Sequence, residues 1–542
     1  MKRESLLPRI GVTVLLLAFA GSALLIATRI RRVAAPGTVT LRLAHFQLEG
    51  GIREAFTTLA RRYMDAHPGV VIEQLPIPGV VYGSWLRTQL VGGTAPDIVE
   101  FGQLPTEFQD ELLARHFVPL TGVLEEPNPY NRGTSLENIP WRETFIDGLD
   151  IDYRSSNLKE YYLIPTAMMT ERVYYNRTLW RQVLGDTPLP TTFAQFRLIA
   201  AQVEAHAKET DRLLVPLAGS VESMQALDRL FASQTQRLHL ALDLDRNLIA
   251  GNIELAVGWL QGRWSSDSPE FQRGLELENE LAGMLTPGFV NLTRGDATFL
   301  FLQQRALMIF AGSWDYISLT GQSAFPIGVF SLPVPATDDP VYGASLLGAM
   351  SELEQGGRCS FAMNAASAHP ELALDFLRFL GSREGNRLFM EKSHWLPALI
   401  DIAPPDHLRD FMPVTEGYPR GFDPHFFVNI GTEVRRLWET HLDRLVTPTG
   451  GVEAITTLYR DRFGPALRED LARLIARSSV RIIRQDSMLA ALTRLRDCSS
   501  AAECVRVDTK RSEIFQHQNA REAEAYWVKA ELSAATATKA SP

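Results

Sequence analysis

Apolar positions along this chain change period in a regular way. From Thr38 to Ala44 they alternate, with Val39, Leu41 and Leu43 on one side, which predicts a strand with one buried face. Ile52, Phe56, Leu59, Ala60 and Tyr63 then recur at helical spacing. Val70, Ile72 and Leu75 predict the next strand. Trp85, Leu86, Leu90 and Val91 predict a helix stopped at Gly92-Gly93, and Ile98, Val99 and Phe101 a third strand. Strands alternating with helices imply a parallel α/β sheet. Between about 190 and 320 the pattern is mostly helical: Pro188 and Pro190 mark an entry, and Phe193, Phe196, Ile199 and Ala200 share a face. The short run Leu307-Met-Ile-Phe310 reads as a buried strand, after which Gly312 lets the chain turn and present Trp314. Leu372, Phe376 and Phe379 mark a further helix. Beyond about Asp470, Ala, Arg and Glu dominate, and the predicted helices are charged on several faces. Ser533 to Pro542 read as disordered.

The amino terminus differs from this body. Lys2, Arg3 and Arg9 precede an apolar run from Ile10 to Thr28, and Arg29, Arg31 and Arg32 follow it. As a helix the run would measure roughly 28 Å, close to a bilayer core of ~30 Å. Residues 1–35 are therefore read as a targeting segment, and an uncleaved membrane anchor fits better than a cleaved signal. Ala35-Pro-Gly37 is a short linker.

With 542 residues the chain can bury a large core without staples. A net charge of -9 argues against nucleic acid as a partner. The three cysteines, Cys359, Cys498 and Cys504, form no Cys-x-x-Cys pair, and no zinc-type spacing is present. Cys498 and Cys504 are close enough to close a small loop in an oxidising compartment. There is no Gly-x-Ser-x-Gly elbow, no His-Glu-x-x-His and no phosphate-binding Gly-x-x-x-x-Gly-Lys. In parallel α/β sheets ligands bind beyond the carboxyl ends of strands, which points to His45–Glu49 and Phe101–Gln103.

A set of segments in fixed order carries more than any one of them. It runs from Val39–Gly51 through Gly93-Thr-Ala-Pro-Asp-Ile-Val-Glu-Phe-Gly102, Leu163-Ile-Pro-Thr166 and Val173-Tyr-Tyr-Asn-Arg177. It continues with Arg305–Trp314 and Ile327–Pro333, and ends with His369–Leu380. This order resembles the extracellular solute-binding proteins of bacterial ABC importers, in the carbohydrate-binding family that includes maltose-binding protein. The resemblance spans roughly residues 38 to 475. It implies an α/β, two-lobe periplasmic-binding-protein fold with a hinge crossed several times. Carried over, lobe one is 38–165 plus 327–400 and lobe two 166–326 plus 401–475. The rest, 476–542, is a helical extension about which the resemblance says nothing.

The implied function is capture of a sugar between the lobes and its delivery to a membrane permease, by a monomer outside the cytoplasmic membrane. It implies no catalysis, cofactor or metal. Sugar sites need flat aromatic faces and planar polar side chains. On the family's pattern Trp314 is the first candidate, with Tyr82, Trp259 and Trp395 behind it and Trp264 as a further indole. Gln47, Glu49 and Gln103 lie in the predicted strand-end loops. Tyr175-Asn176 matches the family's Tyr-Asn pair beside the cleft, although Asn176 also suits a helix cap. Ser220, Glu222 and Gln225 follow another apolar run. A phosphate-bearing ligand would need a cation, for which Arg53 and Arg172 are available. Two alternatives stand beside the importer reading. One is a membrane-anchored sensor or interaction protein that uses the extra tail. The other is a carbohydrate-active enzyme with two facing carboxylates.

Overall fold

The computed structural model describes residues 38–540 apart from 49, 105, 150–157, 159, 245, 247–249, 354–356, 426–429, 447–449 and 499. The apolar run 10–28, Glu49 and the Cys498 side chain, each singled out by the sequence, lie outside the described residues. Among the described residues no helix is long and apolar enough to cross a membrane.

Two sheets organise the body. The first has five strands in the order β2-β1-β3-β9-β4, where β1 is Val39–His45, β2 Val70–Pro76, β3 Ile98–Glu100, β4 Ile164–Met168 and β9 Gly357–Met363. β1 runs parallel to β2 and β3, and β9 is antiparallel to β3 and β4. The second sheet is β6-β7-β5-β8, with β5 Glu171–Asn176, β6 Val215–Ala218, β7 Ala306–Gly312 and β8 Ile327–Phe330. The predicted βαβ start is present, with helix Gly50–Ala66 between β1 and β2 and helix Gly79–Gly92 before β3. Helix Gly50–Ala66 buries Ile52, Phe56, Leu59, Ala60 and Tyr63, the positions its period picked out. Asp97 is structural: its carboxylate accepts from the Arg42 backbone at 2.8 Å and the Ser367 hydroxyl at 2.7 Å.

The chain passes between the two sheets at three places among the described residues. β4 stays in the first sheet to Met168, so the first passage is Met169-Thr170 rather than Pro165. β8 pairs with β5, so Ile327–Phe330, read by resemblance into lobe one, belongs to the second sheet, and the second passage follows Phe330. The third lies between Leu399, bridged to Phe145, and the turn Asp406–Phe411, whose Phe411 ring packs on Tyr174 of β5 at 5.5 Å and on Tyr316 at 5.4 Å. A buried polar junction, hidden by sequence distance, ties these passages together. Arg172, at the start of β5, donates to both Glu352 oxygens at 3.0 Å and to the carbonyls of Asp410 (3.0 Å), Phe411 (3.2 Å) and Met412 (2.8 Å). Arg229 adds a second cation 3.0 Å from Glu352, whose other oxygen accepts from the Val414 backbone at 2.9 Å. All three passages are thus tied to one carboxylate. Arg172 is wholly buried there and is not available as a cleft cation.

The carboxyl-terminal part departs further. Helix Val452–Cys498 is continuous, so the expected boundary at 475–476 falls inside it. Helix Ala501–Ala540 packs back along it, with Gln518 Nε2 2.6 Å from Asp486, and Val528 enters the second core. The helical backbone runs through most of Ser533–Pro542, which composition read as disordered; the Ala-rich end is a strong helix former.

Two buried histidines set a pH dependence. His45 ends β1 with its ring 4.8 Å from Phe56 and its Nε2 2.7 Å from the Gln74 amide. His239 accepts the Ala250 backbone N–H at 2.7 Å. Burial pulls each imidazole down from 6.5 to about 4. A depressed folded-state value means the folded chain binds fewer protons than the unfolded one. The stability from each histidine is therefore complete above 6.5 and is lost as pH falls toward 4, about 3 kcal/mol per group at most. Urea unfolding at stepped pH should show this loss, and His45→Gln should flatten it.

Candidate functional site

β6 and β7 run parallel, and their carboxyl ends lie side by side in the second sheet. Beyond them opens a small cleft of about 50 Å³ lined by Ser220, Glu222, Arg294, Thr298, Trp314 and Asp315, among others. The local sequence explains its shape. β7 ends at Gly312, and a Cβ there would stand 2.2 Å from the Trp314 ring. Only glycine lets the indole fold back over the strand end. Trp314 remains half-buried, with one face over the cleft lining.

Arg294 opens helix Arg294–Leu302, which Thr293 and Asp296 cap reciprocally. Its guanidinium pairs with Asp315, lies 3.7 Å from Glu222 and stands 5.8 Å from the Trp314 ring centre. Burial pushes the Asp315 carboxyl above its usual range, against the pull of Arg294. Ser220 caps the short turn Val221–Ser223 and holds Glu222 at the rim. The result is an aromatic plane bordered by a fixed cation, two carboxylates and hydroxyls.

The carboxyl ends of β1 and β3 lie side by side in the first sheet. Glu100, 1% exposed, accepts from the Phe46 backbone at 3.0 Å and from the Gln47 amide at 2.6 Å. One buried carboxylate thereby fixes the loop after β1. Gln47 is half-buried and Gln103 exposed. Gln103 has a φ of 57°, because helix Gly79–Gly92 presses on its loop: a Cβ on Gly83 would meet the Gln103 carbonyl at 2.0 Å.

Most of the other sequence candidates pack into the interior of this structure. Tyr82 is fully buried and donates to the Glu100 carbonyl at 2.6 Å. Trp395 packs on Phe389 in the first core. Trp259 is held between Trp264 and Phe463, and Trp264 is itself buried. Tyr175 points away from the cleft onto Trp180 and Phe330, while its neighbour Tyr174 takes the cleft side and donates to the Gly312 carbonyl at 2.6 Å. Asn176 caps the next helix through Leu179 N–H at 2.9 Å. Gln225 lines the cleft and Arg53 is exposed on helix Gly50–Ala66. Sequence reading missed Glu100, Arg294 and Asp315. A charge inside the apolar strand Ile98–Glu100 and the Thr293-Arg-Gly-Asp296 cap were the available signals.

Residues 49–387 match the family described as bacterial extracellular solute-binding protein. A protein of Pyrococcus horikoshii, described as an uncharacterized ABC transporter extracellular-binding protein, is 20% identical over 371 residues, 68% of this chain and 73% of its own. Among solved structures, apo RafE from Streptococcus pneumoniae is 15% identical, covers 80% of this chain and 98% of its own, and gives a TM-score of 0.55. RafE in complex with raffinose gives 0.52, at 15% identity over 79% of this chain and 100% of its own. The GacH receptor of Streptomyces glaucescens, studied unliganded and with acarbose, is 13% identical, covers 80% and 99%, and gives 0.53. At these identities the likeness is one of fold.

Proposed function

The chain belongs to the bacterial extracellular solute-binding family, and from that membership we propose that it is the substrate-binding component of an ABC importer that takes a carbohydrate between two lobes. Lobe one would be built on the first sheet and lobe two on the second, with the carboxyl ends of their strands turned toward a shared cleft. The observation that carries this reading is the Trp314 indole standing over the end of β7 beside Arg294, Asp315 and Ser220. A pyranose has apolar C–H faces and hydroxyl edges. An indole covers the first, and carboxylates and a guanidinium bridge neighbouring hydroxyls. Gln47, held by Glu100, offers an amide from the first lobe.

Binding drives closure only if the ligand has higher affinity for the closed form than the open one. Contacts on both lobes supply that difference. The closed form then docks on the permease and releases the sugar unchanged. In this reading residues 10–28 tether the protein, and its bulk lies outside the cytoplasmic membrane.

Thermal unfolding against a panel of mono- and oligosaccharides tests the proposal. Raffinose and acarbose, named for the structural neighbours, belong in it. A ligand at a hundredfold excess over Kd should add about 2.7 kcal/mol of stability. A panel with no responder would sink the carbohydrate reading.

A further inference from the structure

Lobe two carries a second cluster, remote in sequence from the cleft residues. Asp228 sits on helix Met224–Gln234, and Asp423 and His425 follow the third passage. Each offers one ligand atom, and these atoms lie within 4.8 Å of one another. Both carboxylates are buried, at 7% and 4% exposure. Arg420 pairs with Asp423 at 2.5 Å. Asp228 Oδ1 has no hydrogen-bond partner among the described residues, and His425 Nδ1, at 3.9 Å from Oδ2, is too far to supply one. A buried carboxylate oxygen left so near a second carboxylate is costly unless a cation or a shared proton neutralises the pair.

The backbone that presents the three groups is held independently. Thr235 donates to the Phe422 carbonyl at 2.5 Å, and Gly421 N–H to the Ala232 carbonyl at 3.0 Å. A Cβ on Gly421 would stand 2.2 Å from the Thr235 hydroxyl, so the two segments touch main chain to helix end. The His425 ring leans on Trp438 at 4.8 Å while its side chain stays 55% exposed, which leaves an entry path.

We propose that Asp228, Asp423 and His425 bind a divalent transition-metal ion of the Zn2+ or Mn2+ kind. Two carboxylates and one imidazole suit such ions, with water completing the coordination. Ca2+ prefers six to eight oxygens and does not fit this donor set. The ion is structural: it staples the chain just after the third passage to the helix that carries Arg229, and so to the Glu352 junction.

The full chain, stripped with EDTA, should gain several degrees of melting temperature on adding Zn2+ or Mn2+, saturating at one equivalent. Asp228→Asn should abolish that gain while folding without metal, because it removes the carboxylate repulsion. His425→Ala, at an exposed position, should weaken the metal at least tenfold with little change in the metal-free melt. No gain with either ion overturns the proposal and leaves a shared proton between the carboxylates. An equal gain in both variants also overturns it, since binding then lies elsewhere, and a response to Ca2+ alone overturns the donor assignment.

Discussion

Replacing Glu352 with alanine is expected to destabilise the protein by about 3–5 kcal/mol, the largest loss for a single change outside the hydrophobic core. The carboxylate is buried between Arg172 and Arg229, each 3.0 Å away. Removing it strands one guanidinium that is 1% exposed and a second at 15%. It also removes the acceptor for the Val414 N–H. Glu352→Gln keeps the shape but not the charge, and should lose much of the same stability. Burial alone would raise the Glu352 carboxyl, yet Arg172 and Arg229 overcome it and hold the group below its usual 4.5. Its contribution is therefore complete above 4.5 and is lost as pH falls through the lower folded-state value. A shifted urea midpoint with an unchanged slope is the predicted signature. A change within about 0.5 kcal/mol would mean that the junction does not hold the passages together.

Trp314→Ala is the second large effect, on binding instead of folding. The indole is half-buried, Gly312 gives it room to lie over the strand end, and its exposed part lines the cleft. Truncating such an aromatic anchor should cost about 2 kcal/mol, or roughly thirtyfold in Kd. Trp314→Phe should recover part of that, since a smaller ring still covers a sugar face. Neither variant should shift the melt of the ligand-free protein much. Calorimetric titration of both variants decides this, and unchanged affinity in Trp314→Ala would remove the indole from the site.

The sequence was most legible where structure is local. Alternation in Val39–Leu43 and the helical spacing of Ile52, Phe56 and Tyr63 place the first βαβ unit within a residue or two. Trp314 stood out because a strand, a glycine and an aromatic lie together in the chain, on the pattern of the family it resembles. What ties the passages together was not legible, because Arg172 and Glu352 stand 180 residues apart and neither residue type announces a partner. Tyr82, Trp395 and Trp259 misled for a related reason. An aromatic serves a core as well as a cleft, and only the fold shows that the Tyr82 hydroxyl is taken up by the Glu100 carbonyl. The tail reads as helical from its Ala, Arg and Glu content, but which face packs is decided by Val528 reaching the second core.

The central claim is that a sugar binds between the lobes and leaves unchanged. Calorimetric titration of the full chain with the strongest responder of the panel, followed by recovery of the ligand, tests it most directly. One site per chain and chemically intact sugar is the predicted result. Cleaved or modified sugar would contradict the claim, as would saturation without a single defined stoichiometry.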